Sequence, residues 1–201
     1  VAMWDGYENA GIGQHRAEAT KWVDLVGGVE IDLPAWVAVE DHSLYSTGGI
    51  SHVATKVTSI EGLSSSDAAW TIEIVQQGCG WTSTDNYNNL QHILWSPRGS
   101  LGYRQNNAKG FYFFGPSSAT ACSLQNWVHA SAQVADLHTM SAVVGKDKST
   151  CAIWMDGAAD KVDYNGGYSD NNPAAFSFFG NARMSIRVYA VRIYNRALTA
   201  D

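Results

Sequence analysis

Three observations predict an all-β fold, a two-sheet antiparallel β-sandwich. Apolar residues recur at period two, and almost nowhere at the i, i+3, i+4, i+7 spacing of a helix face. Aromatic residues are plentiful (Trp 8, Tyr 9, Phe 6), Gly reaches 19, and charged residues make up only 16% of the chain. Rings suit a pleated, half-buried surface, and glycines suit the turns that join strands.

The strands follow in order. Val29, Ile31 and Leu33 alternate with Glu30 and Asp32, and Trp70, Ile72 and Ile74 alternate with Thr71 and Glu73. Residues 91–96, 99–105 and 111–115 read as three successive strands, with Pro97-Arg98 and Asn106-Asn107 as the turns between them. Residues 137–145 and 150–155 form a hairpin across 146–149, and Asp156-Gly157 supplies a further turn signal, since Gly accepts the positive φ a tight hairpin needs. Residues 176–179 and the long, β-branched 184–195 complete roughly a dozen strands at sandwich spacing. There is no βαβ alternation, which excludes a parallel nucleotide-binding sheet, and no internal repeat of the kind that builds propellers and solenoids.

One sandwich accommodates all 201 residues, so the expectation is a single domain over residues 1–201. The chain starts at Val1 without a signal segment, by processing or by excision from a longer polypeptide; its finish at Arg196–Asp201 favours a segment of a longer polypeptide. Lys plus Arg number 13 against 19 Asp plus Glu, a formal net charge of −6, and no basic run occurs. A phosphate-binding surface, and with it nucleic acid, is set aside. No apolar run reaches the ~18 residues of a membrane-spanning helix, so no membrane insertion is expected. The 3 cysteines, Cys79, Cys122 and Cys151, are odd in number and far apart, which suits reduced thiols better than a disulfide framework or a zinc site.

Three stretches carry a family resemblance. His138-Thr139-Met140-Ser141-Ala142-Val143-Val144 followed by Ala152-Ile153-Trp154-Met155-Asp156-Gly157 resembles the hairpin of laminin-G-like jelly rolls. The finish, Val188-Tyr189-Ala190-Val191-Arg192-Ile193-Tyr194-Asn195-Arg196-Ala197-Leu198-Thr199, resembles the closing strand and turn of the same concanavalin A-like class. The opening, Trp4 to Gly11 and Thr20 to Gly27, is similar to the start of such domains in phage tail or virion proteins and in surface proteins of gut bacteria. The resemblance implies a jelly roll of two facing sheets, one concave, but not one function: members bind glycans or proteins, coordinate calcium, cleave polysaccharides or build fibres.

Hydrolysis in this class requires paired carboxylates about 5 Å apart, one as nucleophile and one as acid/base. Glu30-Ile31-Asp32 opens such a pattern, but Pro34 and Ala35 stand where the second Glu belongs, and Pro34 places the strand at an edge or ends it. No G-x-S-x-G, H-E-x-x-H or phosphate-cradling loop occurs, and His92 and His138, inside strand patterns, read as structural. The chain is therefore expected not to be an enzyme. No cofactor is expected; calcium stays open, because Asp85, Asn86, Asn88 and Asn89, and Asp170, Asn171 and Asn172, crowd oxygen atoms that suit a hard cation and equally suit turns.

Trp81, Tyr87, Trp95, Tyr103, Arg104, Gln105 and Asn106 mix rings with hydrogen-bonding groups. A sugar packs its C–H face on a ring while its hydroxyls pair with polar side chains, so Trp81, Tyr87, Trp95, Tyr103, Arg104 and Asn106 form the candidate glycan site. Trp70, Trp127 and Trp154 sit in more apolar runs and are assigned to the core. The expected function is a non-catalytic carbohydrate-binding or adhesion module, extracellular or on a virion surface, whose partner is a cell-surface or dietary glycan. The alternative is a structural fibre or decoration domain that contacts other virion proteins, and a glycoside hydrolase ranks below both.

Overall fold

The alternation resolves into sheets in the computed structural model, which describes residues 2–40, 42–47, 55–57, 69–81, 90–96, 99–104, 110–114, 121–124, 136–144, 150–156, 158–163, 176–178 and 184–199. These form β1 (Ala2–Asp5), α1 (Gly6–Gly11), β2 (Lys21–Val23), β3 (Glu30–Asp32), β4 (Val37–Glu40), β5 (Ser43–Ser46), β6 (Thr55–Val57), β7 (Trp70–Trp81), β8 (Leu90–Ser96), β9 (Gly99–Arg104), β10 (Gly110–Phe114), β11 (Ala121–Leu124), β12 (Leu137–Val144), β13 (Thr150–Met155), β14 (Ala158–Asp163), β15 (Phe176–Phe178) and β16 (Met184–Tyr194).

An eight-stranded sheet runs in the order β14-β13-β12-β7-β16-β5-β4, with β1 also paired to β16. A six-stranded sheet runs β11-β10-β9-β8-β15-β6, and β2 pairs with β3 alone in a third, two-stranded sheet. Every pairing is antiparallel among the described strands. The two larger sheets meet where β11 packs on β13 and β14. The fold is thus an all-β, two-sheet antiparallel β-sandwich, as the periodicity predicts.

Alternation decides which face of the eight-stranded sheet is core. Ile72, Ile74, Met140, Ala142, Ile186, Val188, Val191 and Ile193 are each 2% exposed or less. At about 25 cal/mol per Å² of buried apolar surface, such side chains each contribute roughly 1.5–3 kcal/mol of transfer free energy. The intervening residues Glu73, Val75, Thr139, Ser141, Val143, Arg187 and Arg192 are half-buried on the opposite face.

One strand departs from simple alternation. Period two predicts that Tyr189, Val191 and Ile193 share the buried face, yet Tyr189 is half-buried and turned away from it. The cause is a β-bulge: Val188 pairs with Gln76 and Ala190 with Val75, so Tyr189 is an extra residue that no β7 residue opposes. The bulge exchanges the two faces of β16, so burial falls on Ile186 and Val188 before it and on Val191 and Ile193 after it. The Tyr189 hydroxyl bonds to Gln77 Oε1 at 3.3 Å on the outer side. β1 and β5 lie along the same edge of β16, at its C-terminal and N-terminal halves respectively.

The N-terminal segment is tied down by polar groups. The Asp5 carboxylate caps α1 by accepting from the Tyr7 and Glu8 amides. Asn9, fully buried, accepts from Trp22 Nε1 at 3.1 Å and donates to the Val23 carbonyl at 3.0 Å. The Asp24 carboxylate takes the Met3, Val26 and Gly27 amides, which fixes the turn after β2. The helix spans six residues, too short for a 3.6-residue period to register in the sequence.

Candidate functional site

A row of side chains crosses the outer face of the eight-stranded sheet. Ser141 on β12 pairs in register with Trp154 on β13 and with Glu73 on β7, and Glu73 pairs in turn with Arg192 on β16. Thr139 and Val143 flank Ser141 along β12, and Thr71 precedes Glu73 on its own face of β7. All of these except Arg192, with Leu198 and Thr199 from the segment after β16, line a groove of about 230 Å³.

The wall formed by Leu198 and Thr199 has a specific cause. Thr71 is 2% exposed, and its hydroxyl donates to the Arg196 carbonyl at 2.9 Å while accepting from the Leu198 amide at 3.0 Å. One side chain on β7 thereby holds residues 196–198 across the sheet.

Electrostatics define the other end. Arg192 donates through one amine to Glu73 and through the other to Asp5 Oδ2, the latter at 3.1 Å. Burial alone would lower the pKa of Arg192, but the hydrogen bond to Glu73 and the charges of Glu73 and Asp5 raise it, so this guanidinium stays charged. Two carboxylates share one cation, which leaves the cluster with one net negative charge. With the Thr71 hydroxyl engaged by residues 196 and 198, the groove offers an indole, the hydroxyls of Thr139, Ser141 and Thr199, one carboxylate and two aliphatic surfaces, a mixture suited to a ligand with both C–H faces and hydroxyls.

Trp154 corrects an expectation. Its apolar neighbours in the sequence assign it to the core, whereas it is half-buried and lines the groove. It occupies the same pleat parity as Ala152, outward from Met140 and Ala142, and apolar neighbours in sequence do not determine that parity. Trp70 is buried as expected, and Trp127 lies outside the described residues.

The residues selected from the sequence fall on two sheets. Trp81 ends β7 opposite Met184 in the eight-stranded sheet. Trp95, Tyr103 and Arg104 belong to the six-stranded sheet: Trp95 pairs with Ser100 and Ser177, Tyr103 with Gln91 and Phe111, and Arg104 with Leu90 and Gly110. Tyr87, Gln105 and Asn106 lie outside the described residues, as do the Asn/Asp loops considered for calcium.

The remaining candidates read as follows. Glu30 and Asp32 flank buried Ile31 on β3; both are exposed, and Glu30 is ion-paired to Lys21. The strand ends at Asp32, two residues before Pro34. His138 is buried, with Nδ1 2.6 Å from Asp156 Oδ2, and Asp156 Oδ1 also accepts the Thr139 amide at 2.9 Å. Asp156 adopts φ 51 at the β13–β14 turn, so it closes the hairpin while holding His138. Cys79 is a free, exposed thiol, with Arg187 Nη1 3.4 Å from its sulfur.

The sequence matches no protein-family profile and no curated protein sequence. Solved structures do resemble it in fold. Trypanosoma rangeli sialidase in complex with sialic acid aligns over 100% of this chain with TM-score 0.62 and 13% identity. The binding domain of botulinum neurotoxin DC in complex with rat synaptotagmin II aligns over 93% of it with TM-score 0.63 and 12% identity. Domain 4 of AbnA, a GH43 extracellular arabinanase from Geobacillus stearothermophilus, in complex with arabinotriose, aligns over 99% of it with TM-score 0.60 and 12% identity. The chain spans 31% of the sialidase, 48% of the toxin domain and 93% of the arabinanase domain. At these identities the likeness is one of fold, a β-sandwich.

Proposed function

We propose that this chain is a non-catalytic carbohydrate-binding module that serves adhesion outside the cell, on a phage particle or a bacterial surface. The observation that carries the reading is the groove on the outer sheet face, where the Trp154 indole stands beside Ser141, Thr139 and Glu73. A half-exposed ring beside hydroxyls and a carboxylate meets both requirements of a sugar, an apolar plane and hydrogen-bond partners. The arabinanase domain solved with arabinotriose shares the fold, which supports a sugar as the ligand. Surface display rests on the resemblance of the opening segments to virion and gut-bacterial domains.

The carboxylates favour binding over hydrolysis. Glu73 is held by Arg192 and Glu30 by Lys21, whereas a retaining glycosidase needs an acid kept protonated beside a free nucleophile about 5 Å away. A second reading, a domain that acts through protein contacts in a fibre, draws on the toxin domain solved with synaptotagmin II.

A glycan array followed by calorimetric titration decides between them. Trp154→Ala is expected to weaken glycan binding by about 2 kcal/mol or more, the loss expected of a central aromatic anchor. Binding that depends on Trp81 or Trp95 and ignores Trp154 would move the site to the residues first read from the sequence. No glycan binding by the intact domain would favour the protein-contact reading.

A further inference from the structure

We infer that the groove takes a single neutral sugar ring and discriminates against acidic sugars, an inference that rests on the carbohydrate-binding reading above. Size comes first. Trp154, Ser141 and Glu73 lie on adjacent strands in direct register, so the indole and the carboxylate are two strand spacings apart, about 9.5 Å between backbones. A ring laid over Ser141 fits between them, with the indole beside one edge and Glu73 at the other. Thr139 and Val143 lie one pleat repeat to either side of Ser141, about 6.7 Å along the strand. At the Val143 end stand Leu198 and Thr199, because Leu198 is bonded to Thr71, the residue that pairs with Val143. The volume of about 230 Å³ falls below the ~300–1,000 Å³ of pockets that enclose drug-sized ligands, which matches one ring rather than a chain of several.

Charge selects the class of sugar. Among the described residues, the only ionisable side chain lining the groove is Glu73, an acceptor that pairs with hydroxyls and repels carboxylates. The adjacent cation is already committed, because Arg192 gives one amine to Glu73 and the other to Asp5. To recruit Arg192, an acidic sugar would have to displace a carboxylate from a half-buried guanidinium, which leaves that carboxylate without its partner. The net charge of −6 on the chain adds a long-range term of the same sign. Hydroxyls face no such penalty: Ser141 and Thr139 donate or accept, and Glu73 accepts.

The test uses the intact domain, with neutral oligosaccharides (arabinotriose, and galactose-, glucose- and mannose-terminated chains) and matched glycans ending in sialic or uronic acid. The expected result is that neutral ligands bind at least tenfold more tightly than their acidic counterparts at low salt, with the gap narrowing as salt screens Glu73. Trp154→Ala should weaken binding of the preferred ligand by about thirtyfold or more and Trp154→Phe should weaken it less. Glu73→Gln should bring the two classes together. Should that change disturb Arg192 and unfold the domain, Ser141→Lys places a cation in the same row and is expected to reverse the preference. Acidic ligands bound as tightly as neutral ones, or a preference unmoved by Glu73→Gln and Ser141→Lys, overturns the charge assignment while carbohydrate binding stands. If no ligand of either class binds, or binding is unchanged by Trp154→Ala, the groove assignment falls, and this inference with it.

Discussion

Thr71→Val isolates the one side chain that ties the end of the described chain to the sheet. Valine keeps the volume and β-branching of threonine, so strand preference and packing on β7 are retained. What is lost is a donor to the Arg196 carbonyl and an acceptor for the Leu198 amide, at 2.9 and 3.0 Å. A net hydrogen bond is worth about 0.5–1.5 kcal/mol, and Arg196 is exposed enough for water to replace its partner. The combined cost is therefore about 1–3 kcal/mol, with no added penalty for a deeply buried unsatisfied group. For a chain of this length each kcal/mol corresponds to about 2–4 °C in Tm, so calorimetry should record a fall of roughly 2–12 °C. Hydrogen exchange supplies the local readout: the Leu198 amide should exchange faster, core amides such as that of Ile74 should not, and Thr71→Ser should restore protection. A variant with unchanged Tm and an equally protected Leu198 amide would show that residues 196–198 are held by something other than Thr71, and the groove wall would need another explanation.

Two further outcomes follow from the N-terminal region. A Cβ on Gly6 would lie 1.9 Å from the His42 carbonyl oxygen, a backbone atom that moves only if the β4–β5 turn moves. Gly6→Ala is expected to destabilise by about 1–3 kcal/mol or more, as overpacking does, and a melt identical to wild type would contradict the close approach. Burial lowers the pKa of His15; its bond to the Ser43 carbonyl partly opposes this, and the charge of His42 adds to the lowering. The unfolded chain then takes up the proton first as pH falls through about 6.5, so stability is fully present above that value and declines below it until His15 titrates in the fold. Urea unfolding between about pH 8 and pH 5 should show this decline and should show it reduced in His15→Gln; equal slopes in the two proteins would remove His15 as the cause.

The strands most legible in the sequence are those with one buried face. Alternation between residues 70 and 74 marks the start of β7, and turn residues bracket β8, β9 and β10 to within a residue or two of their observed ends. β1, β4 and β5 carry a weaker signal because they are four residues long. Their place is set by partners far away in sequence: β1 and β5 both pair with β16. The bulge at Tyr189 is illegible for a related reason. Nothing local distinguishes Val188-Tyr189-Ala190 from a regular strand, and the extra residue becomes visible only when β16 is laid against β7. One inserted residue sends Tyr189 outward while Val191 and Ile193 stay in the core, so counting by twos fails on one side of the bulge.

The groove is less legible in the sequence because its parts are close in space and distant along the chain. Glu73, Ser141, Trp154 and Leu198 come from four segments, and only the register of β7, β12 and β13 aligns the first three. One local signal points to it: Glu73 is a carboxylate on the polar side of a strand whose other side is Ile72 and Ile74. Ser141 is half-buried between the core residues Met140 and Ala142 and pairs in register with Trp154, so the indole shares the outward face of β12. Register with β12 therefore identifies Trp154 as outward, where apolar composition assigns it to the core. The indole beside Ser141 is a consequence of that register, and a one-residue insertion that slips β13 against β12 is predicted to send Trp154 out of the groove and into the core.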